Sequence, residues 1–146
     1  MKWVTRNRIR VNRTATAWLI RRFIDPSGTF LFVEASQVAE VQEREQAIGF
    51  DAPAARYPHK DDQGRCSFEA LAAERAPHDR ALAELARIVG GADFADRIND
   101  TPESAGLRAI SAGFPLIATD EEVVTRASFL YDALYAALRE RHGEAK

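Results

Sequence analysis

The chain has 146 residues, 46% hydrophobic and 29% charged, proportions that fit one folded globular domain and lie far from those of disordered chains. Its single cysteine excludes an internal disulfide, and neither a signal-peptide apolar region nor a run of roughly 18 apolar residues is present, so the expected setting is cytoplasmic. The net charge of −2 hides a split: residues 1–24 carry Lys2, Arg6, Arg8, Arg10, Arg13, Arg21 and Arg22 with no acid, and all 22 Asp and Glu follow them. That asymmetry points to an anionic partner.

Lys2 to Thr5 has strand-forming residue types. Asn12 or Thr14 is suited to cap the next helix, which carries Trp18, Leu19, Ile20, Phe23 and Ile24 and is stopped by the turn chemistry of Asp25-Pro26-Ser27-Gly28. Thr29 to Val33 reads as a buried strand, and Ser36 as the cap of a helix running to about Ala47 with Val38 and Val41 inward. Ile48 to Asp51 is a short third strand. From Ala52 to Gly64 the residues favour a loop of a length that is often functional.

Ser67 starts a helix through Phe68, Leu71 and Ala72. Pro77-His78-Asp79 opens another with Leu82, Leu85, Ala86 and Val89 on one face, and Gly90-Gly91 reads as its end. Thr101-Pro102-Glu103 is a helix start, followed by an inner face of Leu107, Ile110, Ser111 and Phe114. Thr119 and Glu122 form a capping-box signature ahead of a stripe of Val123, Ala127, Leu130, Tyr131, Leu134 and Leu138. The sum is a helix-dominated α+β domain, with a small sheet from the N-terminal third packed against five or six helices.

Two segments carry chemistry. Arg6, Arg13, Arg21 and Arg22 surround the first helix, whose N-terminal N–H groups favour anions, and guanidinium groups match paired oxygens of a tetrahedral oxyanion. The plain alternative is a solvated face. Nucleic acid is not the expected partner, because the remaining surface is acidic. In the second segment His59, Asp61, Asp62, Cys66 and Glu69 fall within eleven residues, and His, Cys and carboxylate are all metal-ligand types suited to Mn or Zn. The plain alternatives are a surface histidine, a buried small thiol and a first-turn acid. Arg65 beside the helix start would lower the pKa of Cys66 towards a thiolate, and Arg65 also joins the anion-binding candidates. There is no Gly-rich phosphate loop, and neither nucleotide nor flavin is expected.

Trp3-Val4-Thr5-Arg6, Arg13 and the block Ala17-Trp18-Leu19-Ile20-Arg21-Arg22-Phe23-Ile24-Asp25 resemble the opening of the chromate-resistance protein family, the ChrB C-terminal domain. Arg65-Cys66-Ser67-Phe68-Glu69 and Tyr131-Asp132-Ala133-Leu134-Tyr135 resemble it further along. The resemblance implies a role in bacterial chromate response, with the family's histidine and Cys-x-Phe-Glu elements mapping onto His59, Cys66, Phe68 and Glu69. Asn12-Arg13 stands where family members often have Asp-Arg, Thr16 where they have a cysteine, and the loop after His59 is more acidic than the family type. Longer regulators of the family place a DNA-binding domain ahead of this one. The chain starts at the resembling segment, so a stand-alone repressor is not expected.

The leading expectation is therefore an oxyanion-binding domain with Arg6, Arg13, Arg21, Arg22 and Arg65 as the clamp, acting without a membrane. A metalloenzyme using His59, Glu69 and Asp93 with Mn or Zn is the second reading. A module that pairs with a second protomer or a separate DNA-binding subunit through the 119–141 helix is the third.

Overall fold

The computed structural model describes residues 1–143. Strand β1 (Lys2–Arg6) lies at the centre of a three-stranded sheet, flanked by β2 (Thr29–Val33) and β3 (Ile48–Gly49), in the order β2-β1-β3. Both pairings are parallel, with Trp3 opposite Phe30 and Ile48, and Val4 opposite Leu31 and Gly49. Parallel neighbours require crossover connections, supplied here by α1 (Val11–Leu19) and α2 (Val38–Arg44). The pleat sends Trp3 into the main core and Val4 into a second cluster with Val38, Val41, Ala47 and Ala52, so the sheet is covered on both faces.

Every residue of α1 is buried, since α3 (Ser67–Arg75), α4 (Arg80–Asp93), α5 (Ser104–Ile117) and α6 (Asp120–Arg141) all pack around it. A helix enclosed on all sides must satisfy its polar groups internally. Thr14 Oγ1 contacts Val11 O and the Tyr131 hydroxyl, at 2.9 and 2.6 Å. Asn12 donates to Ser67 Oγ and accepts from the Phe68 N–H, so it serves the start of α3. Neither Asn12 nor Thr14 is the cap of α1. That position belongs to Arg10, whose side chain caps nothing. The last turn loosens into a π-helical segment (Ile20–Ile24), closed by Asp25 N donating to Ile20 O.

Other boundaries differ from expectation for local reasons. Glu34, not Ser36, exchanges capping bonds with Gln37, opening a 3₁₀ turn (Ala35–Gln37) that leads into α2. Cys66 is the N-cap of α3, and β2 is only half buried because it is an edge strand. Helix α4 runs straight through Gly90-Gly91. A Cβ on Gly90 would lie 2.5 Å from Glu69 Oε1, and one on Gly91 the same distance from Ser104 Oγ. The pair is there for close approach, and the helix ends at Asp93. Thr101 Oγ1 accepts from Ser104 N, so α5 starts at Ser104; its Leu107 and Ser111 are buried and its Ile110 is exposed. The Thr119–Glu122 capping box forms, and Val123, Ala127, Tyr131 and Leu138 of α6 are buried with Leu130 and Leu134 at the margin. Among the described residues no helix is long and apolar enough to cross a membrane.

Candidate functional site

The chain leaves β1 for a neighbour on one side, β2, and later returns to the other side as β3. In open parallel sheets this switch opens a crevice beyond the carboxyl ends of the strands. Arg6 ends β1, Arg10 and Arg13 lie at the start of α1, and Asp51 lies two residues past the end of β3. These side chains, with His59 from the 52–64 loop, Asp93 from the end of α4 and Arg108 from α5, line a cavity of about 230 Å³. Thr5 Oγ1 donates to Phe50 O across the strand ends, at 2.6 Å, which fixes Arg6 and Asp51 relative to each other. Arg8 and Asp51 adopt left-handed backbone conformations, at φ 56° and 51°. Such conformations concentrate at positions that shape a site.

Asp51 organises the cavity. Its side chain is 3% exposed. Arg6 Nη2 lies 3.1 Å from Oδ1, and Arg6 Nε donates to the Asp51 carbonyl. Arg13 Nε lies 3.8 Å from Oδ2, and His59 Nδ1 2.8 Å from Oδ1. Burial alone would push the Asp51 pKa up, but the His59 hydrogen bond and the two guanidinium charges outweigh it and hold the carboxyl below its usual range. The same hydrogen bond raises the His59 pKa against the opposing effect of burial.

Asp93 is the unbalanced member. Its Oδ2 is buried with no hydrogen-bond partner, 3.6 Å from His59 Nδ1. Burial, and then the charge of Asp51, push its pKa to about 6. Arg10 and Arg108 line the same cavity without a carboxylate partner among the described residues. The cavity is thus bordered by four guanidinium groups and two carboxylates, with the cationic side chains in excess.

The candidates named from the sequence separate into groups. Arg6, Arg13, His59 and Asp93 meet at this cavity. Arg21 and Arg22 do not; they lie eight or nine residues beyond Arg13, about 12 Å along the helix axis. Arg21 donates to Gly28 O and stacks over the Phe30 ring, and Arg22 pairs with Asp132. Arg65 is paired with Asp61 at 2.9 Å. Glu69 takes a two-pronged ion pair from Arg97, at 2.9 and 3.1 Å, and accepts the Cys66 N–H. Cys66 is fully buried, and burial together with the Glu69 charge raises its thiol pKa well above normal, opposite to the thiolate expected from Arg65. Neither Glu69 nor Cys66 lines the cavity.

Sequence reasoning missed Asp51, Arg10 and Arg108. Asp51 and Arg6 carried a usable signal, since Arg6 ends β1 and Asp51 lies just past β3, and the two strands are parallel and adjacent. Arg108, a single arginine in the middle of α5, carried none.

With this geometry in place, the comparisons with known proteins are decisive for kinship. Residues 3–138 match the family described as ChrB, C-terminal domain. The chain belongs to that family. Protein ChrB of Cupriavidus metallidurans is 36% identical over 138 residues, covering 92% of this chain and 40% of that protein. This chain therefore spans well under half the length of that relative. No solved structure matches.

Proposed function

We propose that the domain takes part in a chromate response by binding a tetrahedral oxyanion in the cavity between β1, α1 and α5. The observation that carries this reading is the convergence of Arg6, Arg10, Arg13 and Arg108 on one cavity at the N-terminus of a buried helix. Asp51 holds Arg6 directly and Arg13 at longer range, while Arg10 and Arg108 keep their donors free for a ligand. Preorganised guanidinium groups bind such anions in two-oxygen contacts and stay charged at any working pH. A cavity of this size suits a small ion.

Atoms of Asp51, His59 and Asp93 lie within 4.8 Å of one another, close enough to share a divalent cation. The set fits one poorly. Asp51 is already engaged by Arg6, Arg13 and His59, and the His59 nitrogen facing the carboxylates holds its proton more tightly than a free imidazole. A cation would have to displace that proton beside four guanidinium groups. A thermal melt with chromate, phosphate, sulfate, Mn and Zn, each at constant ionic strength, separates the readings. Saturation at about 100 times Kd adds about 2.7 kcal/mol, a rise of several degrees. Stabilisation by the oxyanions supports the reading, and stabilisation by metal alone overturns it.

A second role as a partner module has its own support. Ile110, Leu116 and Ile117 on α5 and Phe129 on α6 are exposed, between 56% and 79% of their surface. Exposed apolar side chains on these two helices favour association with another protein surface. Sedimentation across a hundredfold concentration range tests the homodimer form of this role, and a constant monomer mass would contradict it.

A further inference from the structure

We propose that Asp93 makes this cavity select oxyanions that carry a proton, such as hydrogenphosphate, hydrogenarsenate and hydrogenchromate, over sulfate, by accepting the hydrogen bond of that proton on its carboxylate. The inference rests on the oxyanion reading of the cavity and names the class of anion it takes.

The argument starts from a missing donor. The Asp93 carboxylate lines the cavity and accepts no hydrogen bond from any described residue, and its Oδ2 is buried without a partner. Buried polar atoms in folded proteins nearly always have a partner, and leaving one unmade is costly. The nearest donor, His59 Nδ1, is committed to Asp51 at 2.8 Å and stands 3.6 Å from Asp93. Asp51, His59, Arg6 and Arg13 are the charged groups that act on Asp93, and Arg10 and Arg108 complete the cavity wall. Asp51 faces two of the arginines, whereas Asp93 has no guanidinium group within ion-pair distance among the described residues. The donor for Asp93 must therefore come from what enters the cavity.

A bare carboxylate oxygen repels a bare oxyanion oxygen. The two can sit together only with a proton between them. Phosphate and arsenate carry such a proton throughout the neutral range, and chromate takes up its last proton near neutrality. Sulfate stays fully deprotonated at any pH where a protein folds. Arginines attract all of these anions alike, so they supply affinity without distinguishing them. The acceptor on Asp93 supplies the distinction, because a site that hydrogen-bonds a ligand hydroxyl leaves its own polar atom unpaired when that hydroxyl is absent. The raised pKa of Asp93 fits this role, as it lets the carboxyl provide the proton itself, at a cost that grows with pH.

Titration calorimetry on the whole chain at pH 8, with inorganic phosphate and with sulfate, tests the inference on wild type and on Asp93→Asn. Wild type is expected to bind phosphate at least tenfold more tightly than sulfate. The asparagine amide donates to a bare oxygen, so Asp93→Asn is expected to gain at least tenfold for sulfate and to abolish the preference. Repeating the wild-type titrations in buffers of different ionisation enthalpy needs no variant: sulfate binding should take up close to one proton per anion, and phosphate binding close to none. Equal wild-type affinities, sulfate binding without proton uptake, or an unchanged ratio in a folded Asp93→Asn overturns the role of Asp93 while leaving the arginine cavity as an oxyanion site. Binding of neither anion to wild type overturns the cavity reading itself.

Discussion

The Arg6 guanidinium and the Asp51 carboxylate, 45 residues apart in the chain, meet at 3.1 Å beyond the carboxyl ends of two adjacent parallel strands. The contact is tertiary in origin. Arg6 is placed by the end of β1 and Asp51 by the end of β3, and the Thr5–Phe50 hydrogen bond ties the two ends together. Arg13 and His59 then gather on the same carboxylate.

Asp51→Asn leaves two guanidinium groups and an imidazole facing a neutral amide. Breaking a buried charge pair from one side costs about 3 kcal/mol, and a loss of that order is expected here by urea denaturation. Arg10→Ala is the contrast, since Arg10 is exposed and unpaired. It should change stability by less than about 0.5 kcal/mol. Equal effects of the two changes would contradict the role given to Asp51.

Asp93 predicts a pH signature. Its folded pKa is raised to about 6 from an ordinary value of 3.8, so its contribution is fully present below pH 3.8 and is lost as pH rises through about 6. His59, also raised, contributes below its ordinary value of 6.5 and loses that contribution as pH rises through its folded value. Asp51 is lowered, so its contribution is present above 3.8 and is lost as pH falls through its folded value. Asp93→Asn removes the first of these and weakens the His59 contribution, which the Asp93 charge helps to raise. The variant should therefore gain on wild type between pH 4 and pH 7, by on the order of 2 kcal/mol in urea midpoints converted to free energy. A pH-independent difference would show that Asp93 ionises normally.

Much of this architecture is legible in the sequence because it depends on local rules. The Thr119–Glu122 box, the Asp25 to Gly28 stop and the strand-forming residue types of Lys2 to Thr5 each act within a few residues. What escaped depends on partners far along the chain. Asn12 and Thr14 look like caps, yet in an enclosed helix their side chains serve Ser67, Phe68 and Tyr131. Glu69 looks like a metal ligand until Arg97, 28 residues later, claims both its oxygens. The candidate site divides the same way: proximity in sequence grouped His59 with Cys66 and Glu69, whereas folding groups it with Asp51 and Asp93.

Gly90→Ala tests the close-packing account of the double glycine. The added Cβ meets Glu69 Oε1 at 2.5 Å and Arg97 Nη2 at 2.8 Å. Helix propensity favours alanine by about 1 kcal/mol, but overpacking against a fixed ion pair should reverse the sign and give a net loss of about 2 kcal/mol. Gly113→Ala, where a Cβ meets nothing within 4 Å, should be stabilising by about 0.5–1 kcal/mol. Stabilisation by both would refute the explanation.

Cys66 is expected to be chemically silent in the native protein. With the thiol fully buried and its pKa raised by burial and by Glu69, alkylation at pH 8 should be at least a hundredfold slower than in urea. Labelling at the same rate in both conditions would return Cys66 to the pool of reactive thiols.

The measurement closest to the central claim is calorimetric titration of phosphate and of chromate into wild type and into the Arg10→Ala, Arg108→Ala double variant. These two arginines line the cavity without an ion-pair partner, so their loss should leave the fold and its melting temperature nearly unchanged. Wild type should bind both anions at one site per chain, and the double variant should lose at least a hundredfold in affinity for each. Equal affinity in the two proteins would place the anion elsewhere and contradict the arginine cavity as its site.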